Sequence, residues 1–454
     1  MKRYDSYKNS GYDGHEMIPD DWYTVKTKHV LSGLQDGTHG TFERTDSGYP
    51  LLSAKNITEN GIVVGGKESF ISQKDFDSIV SNGFPQKNDV TLCCVGTIGR
   101  CCIYDKDYPM AFQRSVTFMR PNEKITSRFL MYAIKAIYFQ DQLNKSAKAS
   151  AQSGIYLNDV ANTVLFIPSL EEQKIIATYL DYKVGQIDMS ISEIDSQIDS
   201  LKAYRQSVIS EAVTKGLDKN AKMKDSGVEW IGEIPEGWAI QKIKNVLFPS
   251  KDGIKIGPFG SSLTGKIDTI GNYKVYGQWN IVGRDFSAGK NYVDSDTYND
   301  LSAYHITAGD ILVSMMGTVG KCAIIPDGVA KGLMDSHVVK VRLNKEKIIP
   351  EFFEYVYDKD NSNVVISQIQ KYRRGSIMDG LNSSLIKEFV IPIPPIDEQK
   401  RIVAYLDTKV SLIDELISSF NAQHSDLNAL KQAIISEAVT GKIDLRDWTP
   451  SVEQ

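Results

Sequence analysis

Residues 167–188 read IPSLEEQKIIATYLDYKVGQID, and residues 393–414 read IPPIDEQKRIVAYLDTKVSLID. Farther along, VISEAVTKGLD from Val208 matches IISEAVTGKID from Ile434 at the same offset of 226 residues. The match holds without a gap from residue 167 to residue 214, and about half of its positions are identical. Chance similarity between helical segments does not keep one register over that length, so the chain contains an internal repeat.

The segments that precede these stretches are also duplicated. MIPDDWYTVKTKHV at 17–30 matches EIPEGWAIQKIKNV at 233–246, and DVTLCCVGTIGRCCIY at 89–104 matches DILVSMMGTVGKCAII at 310–325. This pattern predicts an α+β chain with two tandem globular α/β domains, each followed by a long helix. We expect a first domain at 1–168, a first helical region at 169–216, a linker at 217–233, a second domain at 234–394, and a second helical region with the C-terminal tail at 395–454.

The helical regions carry apolar residues at alternating spacings of four and three, which is the seam of a coiled coil. Two equal seams in one chain most simply pair with each other, so we expect an antiparallel coiled coil that relates the domains by a pseudo-two-fold axis. Ser169 and Glu172 fit the N-cap and N3 positions of a capping box. Arg205 and Lys431 place a basic residue at the same seam position of each copy. The predicted seam residues are Leu180, Val184, Ile187, Ile191, Ile194, Ile198, Leu201, Leu406, Val410, Ile413, Ile417, Phe420 and Leu427.

The composition is that of an ordinary globular protein, with 41% hydrophobic and 24% charged residues among 454. No apolar run reaches the length of a membrane span, and the N-terminus lacks the apolar segment of a secretory signal. Four of the five cysteines crowd into residues 93–102, which is no disulfide framework, so we expect a cytoplasmic protein. The net charge of −5 comes from the helical regions and their flanks, since residues 169–233 and 395–454 each carry a net −4. Both domains are close to neutral, so nucleic-acid contacts must come from local clusters.

The stretch TLCCVGTIGRCCIY at 91–104 allows a metal knuckle, a redox centre or a hairpin that is rich in sulfur. The second copy keeps only Cys322, opposite Cys101, and shares instead a Gly-Thr-x-Gly turn that ends on Arg100 or Lys321. This favours a strand–turn–strand whose basic tip is a candidate to contact a partner. The sequence contains no catalytic, dinucleotide, phosphate-loop or metal-binding motif, so we expect a recogniser without a metal or cofactor of its own.

Three further kinds of segment occur in both copies and complete the candidate nucleic-acid interface. Glycine-rich loops at 36–41 and 256–262 let backbone and hydroxyl groups approach a ligand closely. The segments 111–115 and 334–337 diverge between the copies, and a basic cluster precedes each long helix. The candidate DNA-binding residues are Thr38, His39, Thr41, Thr97, Arg100, Gln113, Arg114, Lys145, Lys148, Ser261, Ser262, Thr318, Lys321, Ser336, His337, Lys371, Tyr372, Arg373 and Arg374.

The duplicated Ile-Pro-…-Glu-Gln-Lys-…-Tyr-Leu-Asp segments, the SEAVT helix ends, Gly-Pro-Phe-Gly-Ser-Ser at 257–262 and the paired Gly-Thr-x-Gly turns resemble the specificity subunit of a type I restriction–modification system. The resemblance covers essentially the whole chain. It implies two target-recognition domains, each reading one half of an asymmetric bipartite site in double-stranded DNA. It also implies that the helices are spacer regions, which set the gap and dock two modification subunits. S-adenosylmethionine would belong to those adenine methyltransferases, and ATP and Mg to restriction subunits.

Half-sites read from one side of the duplex have centres about one helical turn, ~10 bp, apart. If each domain reads about three to five pairs, about six unread pairs remain between the half-sites. Two other interpretations remain open. One is a helical adaptor that joins proteins without reading DNA, and the other is an enzyme with duplicated domains, against which the missing motifs count. Sequence-dependent DNA binding that persists at high salt would exclude the adaptor.

Overall fold

The computed structural model describes residues 2–149, 154–316, 318–358, 362–373 and 380–449. It divides into two compact units: Met1–Asp195 with Ala422–Gln454, and Ser196–Asn421. Each unit therefore combines one globular domain with part of each long helix. Within the described ranges, no helix is long and apolar enough to cross a membrane.

The first copy contains thirteen strands and five α-helices among its described residues. The strands are β1 Tyr7–Asn9, β2 Met17–Pro19, β3 Tyr23–Lys26, β4 Leu31–Asp36, β5 Tyr49–Leu52, β6 Ile57–Thr58, β7 Gly61–Ile62, β8 Phe70–Ile71, β9 Val90–Cys93, β10 Cys101–Ile103, β11 Ala111–Phe112, β12 Val116–Pro121 and β13 Val164–Ile167. The helices are α1 Gln73–Val80, α2 Ser127–Lys135, α3 Ile137–Ala149, α4 Leu157–Asn162 and α5 Leu170–Lys215.

The second copy follows the same plan. Its strands are β14 Met223–Asp225, β15 Glu233–Pro235, β16 Ala239–Lys242, β17 Ile254–Ile256, β18 Tyr273–Tyr276, β19 Tyr292–Val293, β20 Ile311–Ser314, β21 Cys322–Ile324, β22 Gly332–Met334, β23 Val338–Val341 and β24 Val390–Ile393. Its helices are α6 Gly260–Leu263, α7 Gln278–Gly283, α8 Ser295–Asp300, α9 Pro350–Tyr357, α10 Asn363–Arg373, α11 Ser383–Glu388 and α12 Ile396–Val439.

The strand order is duplicated along with the sequence. A central antiparallel sheet has the order β10–β9–β12–β4 in the first unit and β21–β20–β23–β17 in the second. A smaller sheet beside it contains one parallel pair, β5 with β11 or β18 with β22. The strand before each long helix pairs with an early strand of its own domain, β13 with β3 and β24 with β16. The predicted class, two α/β domains joined by long helices, is confirmed.

Each hydrophobic core draws on both long helices. Leu180 of α5 and Ile435 of α12 are buried in one cluster of the first unit, and Ile209 of α5 and Leu406 of α12 in one cluster of the second. The beginning of each helix thus lies with the end of the other, so the helices pack antiparallel, as predicted. The predicted seam residues are buried or partly buried: Leu180, Val184, Ile187, Ile191, Ile194, Ile198, Leu201, Leu406, Val410, Ile413, Ile417, Phe420 and Leu427.

One acid–base pair is made twice between the helices. Lys431 of α12 donates to the Asp188 carboxylate of α5 at 2.8 Å. In the second unit, Arg205 of α5 donates to both carboxylate oxygens of Asp414 of α12, at 2.8 and 3.2 Å. Since Lys431 is the repeat counterpart of Arg205 and Asp414 that of Asp188, the same contact occurs with the two helices exchanged.

A buried glutamine fixes the beginning of each long helix to its domain. The Gln173 side chain accepts the backbone N–H of Thr126 at 2.9 Å and donates to the carbonyls of Lys124 and Pro168 at 2.9 and 3.1 Å. Gln399 makes the three corresponding bonds in the second unit. These bonds give a physical reason for the glutamine in the repeated Glu-Gln-Lys motif, because a fully buried amide needs partners for its oxygen and its nitrogen.

Local contacts determine where the long helices α5 and α12 begin and end. The Ser169 hydroxyl accepts the backbone N–H of Glu172 at 3.2 Å, so the predicted N-cap is confirmed. The Glu172 carboxylate accepts the Tyr4 hydroxyl at 2.5 Å, which links the N-terminal segment to this helix. Past the end of α12, Gly441 has a φ of +71°, and a Cβ there would lie 2.3 Å from Cδ of Pro19. Only glycine fits this ending.

We predict that Leu406→Ala destabilises the protein far more than Leu412→Ala on the same helix. Leu406 is fully buried in the core of the second unit, whereas Leu412 is 51% exposed. The buried truncation should lower the free energy of unfolding by about 2–5 kcal/mol and the exposed one by less than about 0.5 kcal/mol. Urea unfolding followed by far-UV circular dichroism measures both, and equal losses would contradict the packing of α12 described above.

A second prediction concerns pH. Lys431 also donates to the Glu59 carboxylate at 2.9 Å, and this bond lowers the pKa of Glu59 below its usual value. A carboxyl whose pKa is lower in the folded state stabilises the fold above its unfolded pKa, and the contribution disappears as the pH falls through the folded pKa. Glu59→Gln should therefore have a lower melting temperature than the natural protein near pH 7, and this difference should shrink as the pH falls through the folded pKa of Glu59. The exposed Glu123→Gln variant is the matched control, and a Glu59→Gln difference that does not shrink as the pH is lowered would disprove the assignment.

Candidate nucleic-acid interface

The candidate residues of the first unit lie mainly in three segments that leave the central sheet at one edge. Because this sheet is antiparallel throughout, β4 and β9 end at the edge where β10 and β12 begin. The glycine-rich loop follows β4, the Gly-Thr-Ile-Gly-Arg turn joins β9 to β10, and the segment 111–115 leads into β12. Segments that are distant in the sequence therefore form one loop cluster, which we call the loop edge.

Backbone hydrogen bonds hold the loop edge together. The N–H of Thr38 donates to the carbonyl of Phe112 at 2.7 Å, and the N–H of Arg114 donates back to the carbonyl of Thr38 at 3.0 Å. The N–H of Cys94, where the turn begins, donates to the carbonyl of Ser115 at 2.9 Å. The segment 111–115 is thus bonded to the glycine-rich loop on one side and to the turn on the other.

Glycine is required where the first loop crosses this segment. A Cβ at Gly37 would lie 2.2 Å from the backbone oxygen of Gln113, a distance that no side-chain carbon adopts. The second unit repeats the crossing, because a Cβ at Gly257 would lie 1.9 Å from the backbone oxygen of Asp335. Its turn is also tied to the neighbouring segment, since the N–H of Met315 donates to the carbonyl of His337 at 3.2 Å. Each unit therefore has the same loop edge.

The candidate side chains differ in exposure. The exposed ones are His39, Thr41, Thr97, Arg100, Arg114, Lys145, Ser261, His337, Lys371 and Tyr372. The partly buried ones are Thr38, Gln113, Ser262, Thr318, Lys321 and Ser336. The side chains of Lys148 and Arg373, and the whole of Arg374, lie outside the described residues. The loop edge of the first unit therefore presents two exposed arginines together with hydroxyl groups, which suits contact with phosphates and base edges.

The two basic turn tips are not equivalent. One guanidinium nitrogen of Arg100 donates to the carbonyl of Ile57 at 3.3 Å, and the residue is exposed. The Lys321 side chain is only 17% exposed, and its ammonium lies 3.4 Å from the Asp358 carboxylate. Asp358 also accepts from Arg284 at 3.2 Å, so Lys321 belongs to an enclosed charge cluster. Arg100 is consequently the better placed of the two to contact a partner.

Asp36 positions groups of the first loop edge, and sequence analysis did not select it. Its carboxylate accepts the Thr117 hydroxyl at 2.5 Å, and its other oxygen lies 3.5 Å from Nε2 of His39. The carboxylate is 15% exposed and can orient the exposed imidazole. The sequence feature that could have identified Asp36 is its position directly before Gly-Thr-His-Gly, where a strand ends and a loop begins.

The helices that carry the basic clusters lie behind the turns. Gln140 of α3 donates to the carbonyl of Gly99 at 3.0 Å, and a Cβ at Gly320 would lie 2.9 Å from the Ile369 side chain of α10. At the end of α10, the Lys371 ammonium lies 5.0 Å above the ring of Trp230. Lys371 and Tyr372 line a cavity of about 780 Å³ together with that tryptophan. These two candidates therefore belong to the lining of this cavity and not to the loop edge.

The cysteines are part of the cores. β9 and β10 form the expected strand–turn–strand, and all five thiols are buried and free. Burial raises the pKa of Cys93 to about 11 and that of Cys94 to about 12, so both stay neutral and unreactive at physiological pH. Among the residues that the structure describes, no group of three or more His, Cys, Asp or Glu side chains could hold a metal ion.

Comparison with known proteins gives consistent matches. A family model described as the type I restriction modification DNA specificity domain matches residues 19–198 and 252–423. The chain is 23% identical over 444 residues to the type I restriction enzyme MjaVIII specificity subunit of Methanocaldococcus jannaschii, covering 95% of each. It is 24% identical over 442 residues to the StySPI specificity subunit of Salmonella potsdam, covering 92% of this chain and 86% of that one.

A chain from a solved structure described as "Structural basis underlying complex assembly and conformational transition of the type I R-M system" superposes with a TM-score of 0.66 at 17% identity. The match covers 94% of this chain and 99% of that one, and it shows that the two share a fold. The family match covers most of this chain in two segments, one in each copy of the repeat. The chain therefore belongs to the type I restriction modification DNA specificity family, as the non-catalytic specificity subunit of such a system.

Proposed function

We propose that this chain recognises a bipartite site in double-stranded DNA, with the loop edge of each unit reading one half. The observation that carries the proposal is the duplication of the loop edge: the same backbone framework occurs twice with different side chains. A repeated framework suits two contacts of one kind, and the different side chains suit an asymmetric site. Each domain is close to neutral, so its phosphate contacts must come from local groups, such as Arg100 and Arg114 in the first unit.

The long helices serve as spacer and docking surface in this proposal. They set the gap between the half-sites and bind two adenine-methyltransferase subunits, which carry S-adenosylmethionine. Restriction subunits, with ATP and Mg, join the same assembly in the cytoplasm. Exposed apolar side chains on otherwise acidic helices support the docking of proteins, because a partner that covers them removes apolar surface from water. They include Met189, Tyr204, Leu412, Leu416 and Leu430.

The test of this function is a methylation map. The chain is expressed with its methyltransferase in a host that lacks adenine methylation, and modified adenines are located by long-read sequencing. We expect one asymmetric split motif with a fixed gap. The methyltransferase expressed alone is the control, and should leave the genome unmodified. A continuous motif would mean that one domain alone reads DNA, and no methylation would favour the adaptor.

We further predict that the gap changes when both helices are shortened together. Deleting residues 191–197 and 417–423 removes one heptad from each helix, and leaves both acid–base pairs between the helices in place. The helix pair becomes ~10 Å shorter, which corresponds to about three base pairs of duplex. The methylation map should then show the same two half-sites with a shorter gap.

Deleting residues 191–197 alone is the matched control. It shifts α5 against α12 by a heptad, so the pairs made by Arg205 and Lys431 cannot both form. We expect this variant to lose methylation altogether. An unchanged gap in the double deletion would disprove the spacer role of the helices.

A further inference from the structure

A charged cavity lies beside the turn tip of the first unit. It has a volume of about 340 Å³, and its lining includes Arg100, Lys135 at the end of α2 and Lys431 of α12. Ile137, the first residue of α3, also lines it, and the first turn of that helix contains no acidic residue. The partial positive charge of this helix N-terminus therefore adds to the charges of the three side chains.

The three positive side chains surround one carboxylate. Glu59 lies in the turn between β6 and β7, where it accepts from the Lys431 ammonium at 2.9 Å. This bond, together with the charges of Lys135 and Arg100, lowers the pKa of the Glu59 carboxyl. The Glu59 side chain is nevertheless 60% exposed, whereas that of Lys431 is 9% exposed. The carboxylate thus lies at the mouth of the cavity, with the Lys431 ammonium behind it.

The second unit contains an equivalent cavity, of about 430 Å³, with a different charge at one wall. The Cys101 thiol donates to the carbonyl four residues before Lys135, and the Cys322 thiol donates to the carbonyl four residues before Asp358. Lys135 and Asp358 therefore occupy the same place at the ends of equivalent helices, and each lines the cavity of its own unit. The wall that is positive in the first unit is negative in the second.

The two cavities consequently differ in their balance of charge. In the second cavity each of three cations has a carboxylate partner: Arg205 with Asp414, Arg284 with Glu354, and Lys321 with Asp358. In the first cavity Lys431 binds both nearby carboxylates, those of Glu59 and Asp188. Over the described part of the chain, neither Arg100 nor Lys135 forms an ion pair. The first cavity thus has two cations without a counter-ion of their own, which favours the binding of an anion.

We propose that the three cations of the first cavity bind a phosphate group, and that the Glu59 carboxylate occupies their site until the phosphate arrives. One guanidinium and two ammonium groups suit the several acceptor oxygens of a phosphate. An exposed ion pair contributes little to stability, so Glu59 gives way at little cost. A phosphate contact carries no base preference, so the site adds affinity and fixes position without reading sequence.

The phosphate has two sources. One is the backbone of a DNA duplex at the loop edge, to which the turn tip belongs, and this source rests on the proposed function. The other is free inorganic phosphate, which does not depend on that function. Two experiments distinguish these sources.

The first experiment measures the binding of inorganic phosphate to the full chain by phosphorus NMR, at constant ionic strength near pH 7. We expect Lys135→Gln to lower the affinity about tenfold, because it removes a charged hydrogen-bond donor. Lys135→Arg, which keeps the charge, should retain most of the affinity. Glu59→Gln should raise the affinity severalfold, because the competing carboxylate is gone. A structural role of Glu59 alone would not produce such a gain.

The second experiment uses the complex of the chain with its methyltransferase subunits, and duplexes that carry the motif from the methylation map. One phosphate at a time is replaced by an uncharged methylphosphonate. If DNA is the source, one such replacement weakens the natural complex and leaves the Lys135→Gln complex unchanged. Lys135→Gln should also reduce the salt slope by about one while the base preference stays the same.

The matched control for both experiments is Lys87→Gln. Lys87 is exposed in the same unit and precedes β9, at the edge of the central sheet opposite the loop edge. This variant should keep the natural affinity for phosphate and for DNA. The melting temperature of Lys135→Gln should equal that of the natural protein, because the replaced ammonium forms no ion pair within the described chain.

The outcomes separate the two sources from each other and from the proposed function. A Lys135 effect in the first experiment alone assigns the site to free phosphate, and an effect at one duplex position assigns it to DNA. If neither experiment depends on Lys135, the inference is wrong. If Glu59→Gln gains no affinity in either, the carboxylate does not occupy the site. Failure of the proposed function looks different, because the natural complex then shows no sequence preference while inorganic phosphate still binds.

Discussion

The antiparallel pairing of the two long helices is the contact on which both cores depend. The core of the first unit needs Ile435, which comes from the helix of the second copy, and the core of the second needs Ile209, from the helix of the first. Neither linear copy of the repeat therefore contains a complete core of its own. Duplication alone would have produced two independent domains, whereas this exchange of helices makes the two copies fold as parts of one chain.

Apolar heptads leave the register of such a pair loosely specified, because a shift by seven residues places similar side chains together again. Buried or partly buried polar contacts remove that freedom. The pair of Lys431 with Asp188 forms in one register, and His424 lies 3.6 Å from Asp195 in the same register, seven residues along each helix. A heptad slip would leave the Lys431 ammonium, which is largely buried, without its carboxylates, and that cost selects the observed alignment.

Features with a local cause could be predicted from the sequence. The helices, their seam, the Ser169 cap and the two α/β domains follow from periodicity, local hydrogen bonding and the repeat itself. The loop edge could not, because it depends on strand pairing between segments 36–41 and 111–115, and no local pattern encodes that pairing. The anchoring role of Gln173 was missed for the same reason, because its burial exists only in the packed structure. The individual DNA-binding residues remain predictions.

The two units share the backbone of the loop edge and differ in the side chains that it presents. Strand order, the crossing glycines and the buried glutamines are kept, so the backbone of the loop edge is the constant part. The turn tip is an exposed Arg100 in the first unit and an enclosed Lys321 in the second. The third position of the glycine-rich loop is the His39 imidazole, beside Asp36, in the first unit and the phenyl ring of Phe259 in the second. Each change alters the charge or hydrogen bonding offered at a fixed point without altering the fold that holds it. Under the proposed function, such a constant backbone with exchangeable side chains would let one duplicated domain read two different sequences, because a few exposed groups can change base preference without changing the fold.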